Sequence, residues 1–297
     1  MRRNGDFMKY YVLFNPLAGH GDHTEKVNAI AAKFGGETVI LDVTKLASYT
    51  EFVSTLDADD VIVLCGGDGT INRFVNDTEG VEVANEVLYS PLGTGNDFLR
   101  DIEKPFDTDP FSIKQYIEKL PQVEVNGKKY RFLNNVGFGI DGYCCEVGDK
   151  LKAESTKPVN YTAIAIKGLL FHFTPVNATV VVDGETFNYK KVWIAPTMNG
   201  RFYGGGMNAT PDQKRDDPEG NLSVMLFYGK GRLKTLMVFP SIFKGEHIKH
   251  PEMVKIHTGK DISVTFDKPT ALQIDGETIL GVTSYKATSH ALVPANA

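Results

Sequence analysis

"LCGGDGTINRFVND", Leu64 to Asp77, decides how the first half of this chain folds. It closes an apolar run, Asp60-Val61-Ile62-Val63-Leu64-Cys65, with two glycines, an aspartate, a third glycine and a threonine, then takes up helical spacing. A strand that enters a helix through glycines turns free backbone N–H groups and the positive end of the helix dipole toward an anion. Gly66, Gly67 and Gly69 allow positive φ and close backbone approach, and Thr70 is read as the helix start. Asp68 is itself an anion. At ~4 Å from a polyphosphate, in an effective dielectric of ~20, its repulsion is about 4 kcal/mol. A divalent cation or its bound water between them would reverse the sign. The alternative is an Asx-type turn that caps the helix at Thr70, and the cation-linked reading is preferred.

Working outward, the first ~120 residues alternate between strand and helix patterns. "YYVLFN" (Tyr10–Asn15) reads as a buried strand and "TEKVNAIAAKF" (Thr24–Phe34) as a helix capped by Thr24. "ETVILDVT" and "DVIVLC" are further strands, with "SYTEFVSTL" as the helix between them. "NEVLYSPLG" (Asn85–Gly93) is a fourth strand, and "FSIKQYIEKL" (Phe111–Leu120) a closing helix. This order predicts a parallel sheet flanked by helices. In such sheets ligands bind at the carboxyl ends of the strands. The loops "NPLAGHG" (Asn15–Gly21), "GGDGTIN" (Gly66–Asn72) and "PLGTGND" (Pro91–Asp97) all leave such ends, so they should converge on one edge.

Beyond Pro121 the pattern changes. "YRFLNNVGF", "NATVVVDGETFNYKKVWIAP", "NLSVMLFYG" and "DISVTFDKPTALQIDGETI" are β-rich, with hairpin chemistry at Asp183-Gly184 and Asp275-Gly276. Helical stretches are read near 160–173 and 232–243. The expectation is an α/β N-terminal domain with a parallel sheet, residues 1–121, followed by a mostly antiparallel β-sandwich-like domain, residues 122–287. The tail 288–297 is expected to return to the first domain.

Composition excludes several classes. A chain of 297 residues with 42% hydrophobic and 23% charged content is ordinary for a globular protein of two domains. The net charge of −5 leaves no electrostatic footprint for nucleic acid. "MRRNGDFMKY" lacks the apolar core of a signal peptide, and Met8 is an equally good start. No apolar run reaches the ~18–20 residues of a spanning helix. Cys65, Cys144 and Cys145 form neither a disulfide framework nor a zinc spacing, which suggests a reducing, cytoplasmic compartment.

Taken together, "GGDGTINRFVND" and "PLGTGNDF" resemble the catalytic family of diacylglycerol kinases, which includes sphingosine and ceramide kinases. "NPLAGHG", "FLNNVGFGID" (Phe132–Asp141), "MNGRFYGGGMNATPDQKRDDPEGNLSV" (Met198–Val224) and "LQIDGE" (Leu272–Glu277) follow in the family's order, so the likeness spans roughly residues 10–285. It implies phosphoryl transfer from ATP, with Mg²⁺, to a lipid hydroxyl in a cleft between the domains. Asn15, Thr44, Gly66, Gly67, Asp68, Gly69, Thr70, Asn72 and Thr94 would contact nucleotide. Glu277 takes the place of the family's proton acceptor, with Asp275 either supporting it or only making the turn. Asp217 would ligate Mg²⁺ with the carbonyls of Lys214 and Asn221, in a network with Asp68 and Asp97. "DDPEGN" departs from the family's tighter turn by Pro218-Glu219, and Glu219 is a second candidate ligand.

The resemblance also implies a peripheral enzyme that meets its lipid at the membrane surface. Tyr161–Phe173 is read either as an interfacial helix or as a packing helix, the latter preferred. Exposed β edges suggest a homodimer. An NAD kinase, or a regulatory nucleotide-binding protein with a degraded site, are the alternatives. Cys144-Cys145 and Trp193 are read as packing residues, and Gly204-Gly205-Gly206 as a place of backbone mobility or close ligand approach.

Overall fold

The continuous apolar run before Gly66 needs cover on both faces, and it becomes the central strand of a layered α/β unit. The computed structural model describes residues 8–16, 23–92, 96–154 and 159–292. The chain divides into two units, Met1–Lys119 and Leu120–Ala297.

In the first unit β1 (Lys9–Phe14), α1 (Thr24–Ala31), β2 (Glu37–Asp42) and α2 (Tyr49–Ser54) precede β3 (Val61–Gly66). After it come α3 (Asp68–Asp77), β4 (Glu86–Pro91), α4 (Asp97–Asp101), β5 (Phe111–Ser112) and α5 (Lys114–Ile117). The sheet order is β2-β1-β3-β4-β5; the first four strands are parallel, and β5 is antiparallel to β4. Val12, Val27, Ile30, Val61, Val63 and Cys65 form its core. Register sets Phe14 opposite both Asp42 and Cys65, and Gly66 opposite Pro91. The residues that leave these strands therefore stand along one edge.

Three local expectations change here. The segment expected as one closing helix is a short strand and a single helical turn, because Phe111 and Ser112 pair with Tyr89 and Leu88. The first residue of α1 is Thr24, with His23 in the cap position and no side-chain cap bond. Helix α3 begins at Asp68, two residues before Thr70, with Gly67 as N-cap.

The second unit opens with β6 (Gln122–Val125), β7 (Lys128–Arg131), β8 (Asn135–Gly139), α6 (Ile140–Glu154) and α7 (Tyr161–Lys167). Then come β9 (Val176–Val182), β10 (Glu185–Val192), β11 (Ile194–Met198), β12 (Phe202–Tyr203), β13 (Met207–Asn208) and β14 (Leu222–Phe227). Helix α8 (Arg232–Val238) and β15 (Val254–Gly259), β16 (Asp261–Ile274) and β17 (Glu277–Thr288) complete it. Ten of these strands make one antiparallel sheet, ordered β15-β14-β11-β8-β16-β17-β6-β7, with β9 and β10 joined through β16. Long β16 pairs β9 along Ile262–Phe266 and β8 along Leu272–Ile274, so the sheet bends over a core centred on Phe138, Phe266, Val264 and Tyr285. A second core, with Trp193, Phe227, Leu169, Phe173 and Phe239, lies under the helices.

The hairpin turns follow the dipeptides. Asn126-Gly127, Asp183-Gly184 and Asp275-Gly276 all take positive φ at both positions, with Asp275 at 47° and Gly276 at 94°. That pattern is the type I′ turn of two-residue hairpins. Gly204, Gly205 and Gly206 also have positive φ, at 62°, 83° and 109°, and close the β12–β13 hairpin. Helix α6 was not expected from the sequence. Of the tail, Ser289 donates its hydroxyl to Gly220 O within the second unit, contrary to a return to the first; residues 293–297 lie outside the described residues.

Candidate functional site

The glycine loop of the first unit is held by its own neighbours. Tyr89 donates its hydroxyl to Gly66 O at 2.7 Å, Leu92 N–H donates to the same carbonyl at 2.8 Å, and Asn96 donates its side-chain amide to the Tyr89 oxygen. A Cβ on Gly66 would meet Thr70 Oγ1 at 2.0 Å, whereas one on Gly69 meets nothing within 4 Å. None of Gly66, Gly67 and Gly69 has positive φ; Gly67 sits at −109°. The need at Gly66 is therefore steric, and the left-handed backbone that glycine allows is used at none of the three. Gly66 makes room for Thr70, and Gly69 leaves the start of α3 bare.

Asp68 faces across the loop. Its Oδ2 accepts from Asp97 N–H at 2.7 Å and its Oδ1 from Phe98 N–H at 3.2 Å. It caps α4, the helix opened by "GTGND", so the capping role goes to a different helix from the one that begins at Asp68 itself. Asn96 Oδ1 completes that cap on Leu99 N–H at 3.1 Å. A carboxylate against a helix N-terminus is charge-complementary, which answers why an anion stands in this loop. Asp97 is buried, with Oδ1 3.9 Å from Arg100 Nε. Thr44 N–H and Oγ1 both donate to Asp42 Oδ1, at 2.9 and 2.7 Å, in the turn after β2. Asn15 leaves β1 on the same edge, and Asn72 is buried in α3 with its carbonyl accepting from Asn76 Nδ2. Thr94 lies outside the described residues.

In the second unit three motif segments meet at the β16–β17 tip. Asp275 accepts from Leu133, Asn134 and Asn135 N–H at 2.5, 2.7 and 2.9 Å, and its own N–H donates to Asn135 O at 3.0 Å. Asn199 donates its side-chain amide to Leu133 O at 3.0 Å and its backbone N–H to Asn134 O at 2.9 Å. Arg215 donates to Leu133 O and, at 2.7 Å, to Asn134 Oδ1. Glu277 opens β17, opposite Ile274, with an exposed side chain. Its turn is braced from below: Gly276 N–H donates to Gln273 Oε1 at 2.9 Å, and Gln273 Nε2 reaches Asp141 Oδ2 at 3.4 Å. Burial pushes the Asp141 carboxyl up to about 7.

In the 213–221 loop the expected ligands Lys214, Asp217 and Asn221 are taken up by other partners. Lys214 O and Asn221 O both accept from one side-chain amide, Gln213 Nε2, at 3.1 and 2.8 Å, and Asn199 O lies 3.5 Å from the same nitrogen. Asp217 Oδ1 accepts from Glu219 N–H at 2.9 Å and Oδ2 from Asn221 Nδ2 at 3.0 Å, bonds that lower its pKa, the Glu219 N–H foremost. Gly220 N–H donates to Asp217 O at 2.8 Å, so Asp-Pro-Glu-Gly is a β-turn with an Asx bond inside it. A donor nitrogen occupies the place where the two carbonyls converge. Among the described residues no group of three or more His, Cys, Asp or Glu could hold a metal ion.

Sequence reasoning missed Gln213, Arg215, Tyr89 and Asn96 as organisers. Arg215 carried a signal, a cation inside an acidic loop; Gln213 carried none. The packing readings of Cys144 and Trp193 agree with their burial, and burial pushes the Cys145 and Cys65 thiols up to about 12.

A glycine loop at the carboxyl edge of a parallel sheet is followed in sequence by an antiparallel unit, and this two-unit order matches that of a known kinase family. Residues 9–124 match the diacylglycerol kinase catalytic domain and residues 134–294 the YegS C-terminal NAD kinase beta sandwich-like domain, and the chain belongs to this diacylglycerol kinase family. It is similar to a diacylglycerol kinase of Mycobacterium tuberculosis, 24% identical over 84% of this chain and 83% of that one. The structure of a diacylglycerol kinase from Bacillus anthracis has a TM-score of 0.61 at 21% identity, covering 96% of this chain and 94% of that one. Yeast NADH kinase complexed with NADH shares the fold more distantly, with a TM-score of 0.51 at 12% identity over 98% of this chain and 80% of that one.

Proposed function

We propose that this chain is an ATP-dependent lipid kinase that transfers the γ-phosphoryl group to a lipid hydroxyl, diacylglycerol foremost, yielding phosphatidic acid. The observation that carries the reading is the β16–β17 tip: Asp275 is committed to three backbone amides while Glu277, one turn position on, is left exposed. Phosphoryl transfer asks mainly for positioning and charge neutralisation. The N-terminal end of α3, from Gly66 to Thr70, suits phosphate oxygens through its helix dipole, with Asn15, Thr44, Asn72 and Thr94 proposed around the nucleotide. Mg²⁺ would arrive with the ATP phosphates as part of the substrate. Glu277 would accept the proton of the attacking hydroxyl, and Asp141 and Gln273 would hold its turn. Domains of residues 1–121 and 122–287 would serve nucleotide and lipid respectively, in a cytoplasmic enzyme that visits the membrane surface and has edge strands open to dimerisation.

The test is ATP consumption over a panel of mixed lipid micelles. Glu277→Gln should lower turnover on diacylglycerol by about 10²–10⁴-fold with an unchanged melting temperature. Full activity in that variant would remove Glu277 from the chemistry. Phosphorylation of NAD in place of lipid would favour the NAD kinase reading that the yeast fold likeness keeps open.

A further inference from the structure

Helix α8 and the π turn Gly168–His172 that follows α7 pack against each other, pinned by Arg232, which donates to Leu169 O at 2.9 Å. Their inner side chains, Leu169, Phe173, Val238 and Phe239, fill the second core. Their outer ones do the opposite. Phe171 is 70% exposed, Leu233 74% and Met237 71%. Leu233 and Met237 are four residues apart on one face of α8. The π turn is a rare form that often marks a functional place, and here it carries Phe171 outward.

Charge is sorted around these tips. From Val159 to Val182 and from Leu222 to Gly245 the chain contains no Asp or Glu, while Lys167, Lys230, Arg232, Lys234 and Lys244 fall within the two stretches. The whole chain carries −5, whereas these two stretches are cationic, and their five cations outnumber the anions beside them, Glu252 near Lys230 and Lys234 and Glu246 near Lys244. Single exposed apolar residues need no explanation. Three long ones on two packed segments that hold five cations and no anion of their own do.

We propose that this face docks on an anionic lipid bilayer, with Phe171, Leu233 and Met237 entering the headgroup boundary and the lysines around them meeting lipid phosphates. Apolar tips among cations are the pattern of interfacial anchoring. No helix among the described residues is long and apolar enough to cross a membrane, so attachment through it would be shallow. A second copy fits worse, because two identical cationic faces repel. The inference rests on the lipid-kinase reading for the purpose of the surface, and on the residues alone for its existence.

Sedimentation with vesicles of phosphatidylcholine, with and without phosphatidylserine, tests it. The full chain should bind the phosphatidylserine vesicles, and binding should fall as salt rises. Phe171→Ser/Leu233→Ser/Met237→Ser should weaken binding about 100-fold at an unchanged melting temperature. Lys167→Gln/Lys230→Gln/Lys234→Gln should erase the preference for phosphatidylserine, each lysine contributing about 5-fold. Absence of vesicle binding by the wild type, or undiminished binding by the apolar triple variant, overturns the proposal. So does a solution dimer that the same triple variant dissociates, which would assign the face to a second copy. Vesicle binding without turnover on any lipid upholds this surface and overturns the kinase reading instead.

Discussion

Asp275 and Asp183 sit at the tips of two hairpins and make the same pair of bonds. Each donates its N–H to a carbonyl on a neighbouring strand and takes that residue's N–H on its carboxylate: Asn135 for Asp275, Asp261 for Asp183. The repeated Asp-Gly-Glu is thus one structural device used twice. What separates the copies is what lies beneath the turn. Under Glu277 the brace ends on Asp141, whose burial gives a testable pH dependence. With a folded pKa near 7 against 3.8 for the ordinary group, the folded state holds a proton that the unfolded state has lost between those values. Stability from this group is therefore full below pH ~4, falls by about 1.4 kcal/mol per unit as pH rises to ~7, and is level above. Asp141→Asn cannot titrate, so in urea unfolding its stability relative to wild type should rise from pH 5 to 7 and then stay constant. Depressed carboxyls such as Asp217 are present in both proteins and cancel in the difference. A difference independent of pH would show that Asp141 is ionised in the fold.

At the scale of elements, the glycines around α3 have separable duties. Gly66→Ala must displace Thr70 and with it the first turn of the helix, so it should cost about 1–3 kcal/mol and lower the melting temperature. Gly69→Ala meets open space and should melt like wild type, yet raise the KM for ATP if phosphates approach that turn. Equal KM values in wild type and Gly69→Ala would move the phosphates elsewhere. The loop 213–221 offers a second contrast. Gln213→Ala leaves Lys214 O and Asn221 O without their shared donor, which should cost about 1–3 kcal/mol. Those carbonyls and Asp217 would then be open to a hard cation, so the variant's melting temperature should rise with added Mg²⁺ while that of the wild type, free of nucleotide, should not. A Mg²⁺ response in the wild type would refute closure of the loop by Gln213. Helix α6 shows why one element escaped a linear reading. Its Gly142 and Gly148 look like breakers, but a Cβ at Gly142 would strike Ala271 O at 2.1 Å and one at Gly148 the Tyr161 ring at 2.6 Å. Both glycines are set by partners distant in sequence.

For the whole molecule, periodicity and turn dipeptides made much of the architecture legible. Val61–Gly66 had to be a central strand because it is apolar on both faces, and Asp-Gly and Asn-Gly had to turn because they accept positive φ. Ordered motifs made the family legible, since the amides and carboxylates of phosphoryl transfer leave a local signature. Partners and directions were not legible. That Asp68 caps α4, that Gln213 fills the place expected of a cation, and that Leu233 and Met237 face outward while Val238 and Phe239 face inward depend on contacts between segments far apart in the chain. The sequence by itself determined the order of elements, the turns and the family, because these follow from short-range backbone preference and local pattern. Only the tertiary structure decided which carboxylate is committed to amides, which is left exposed and which face is left bare, because hydrogen bonds and burial are settled by what folds back against each residue.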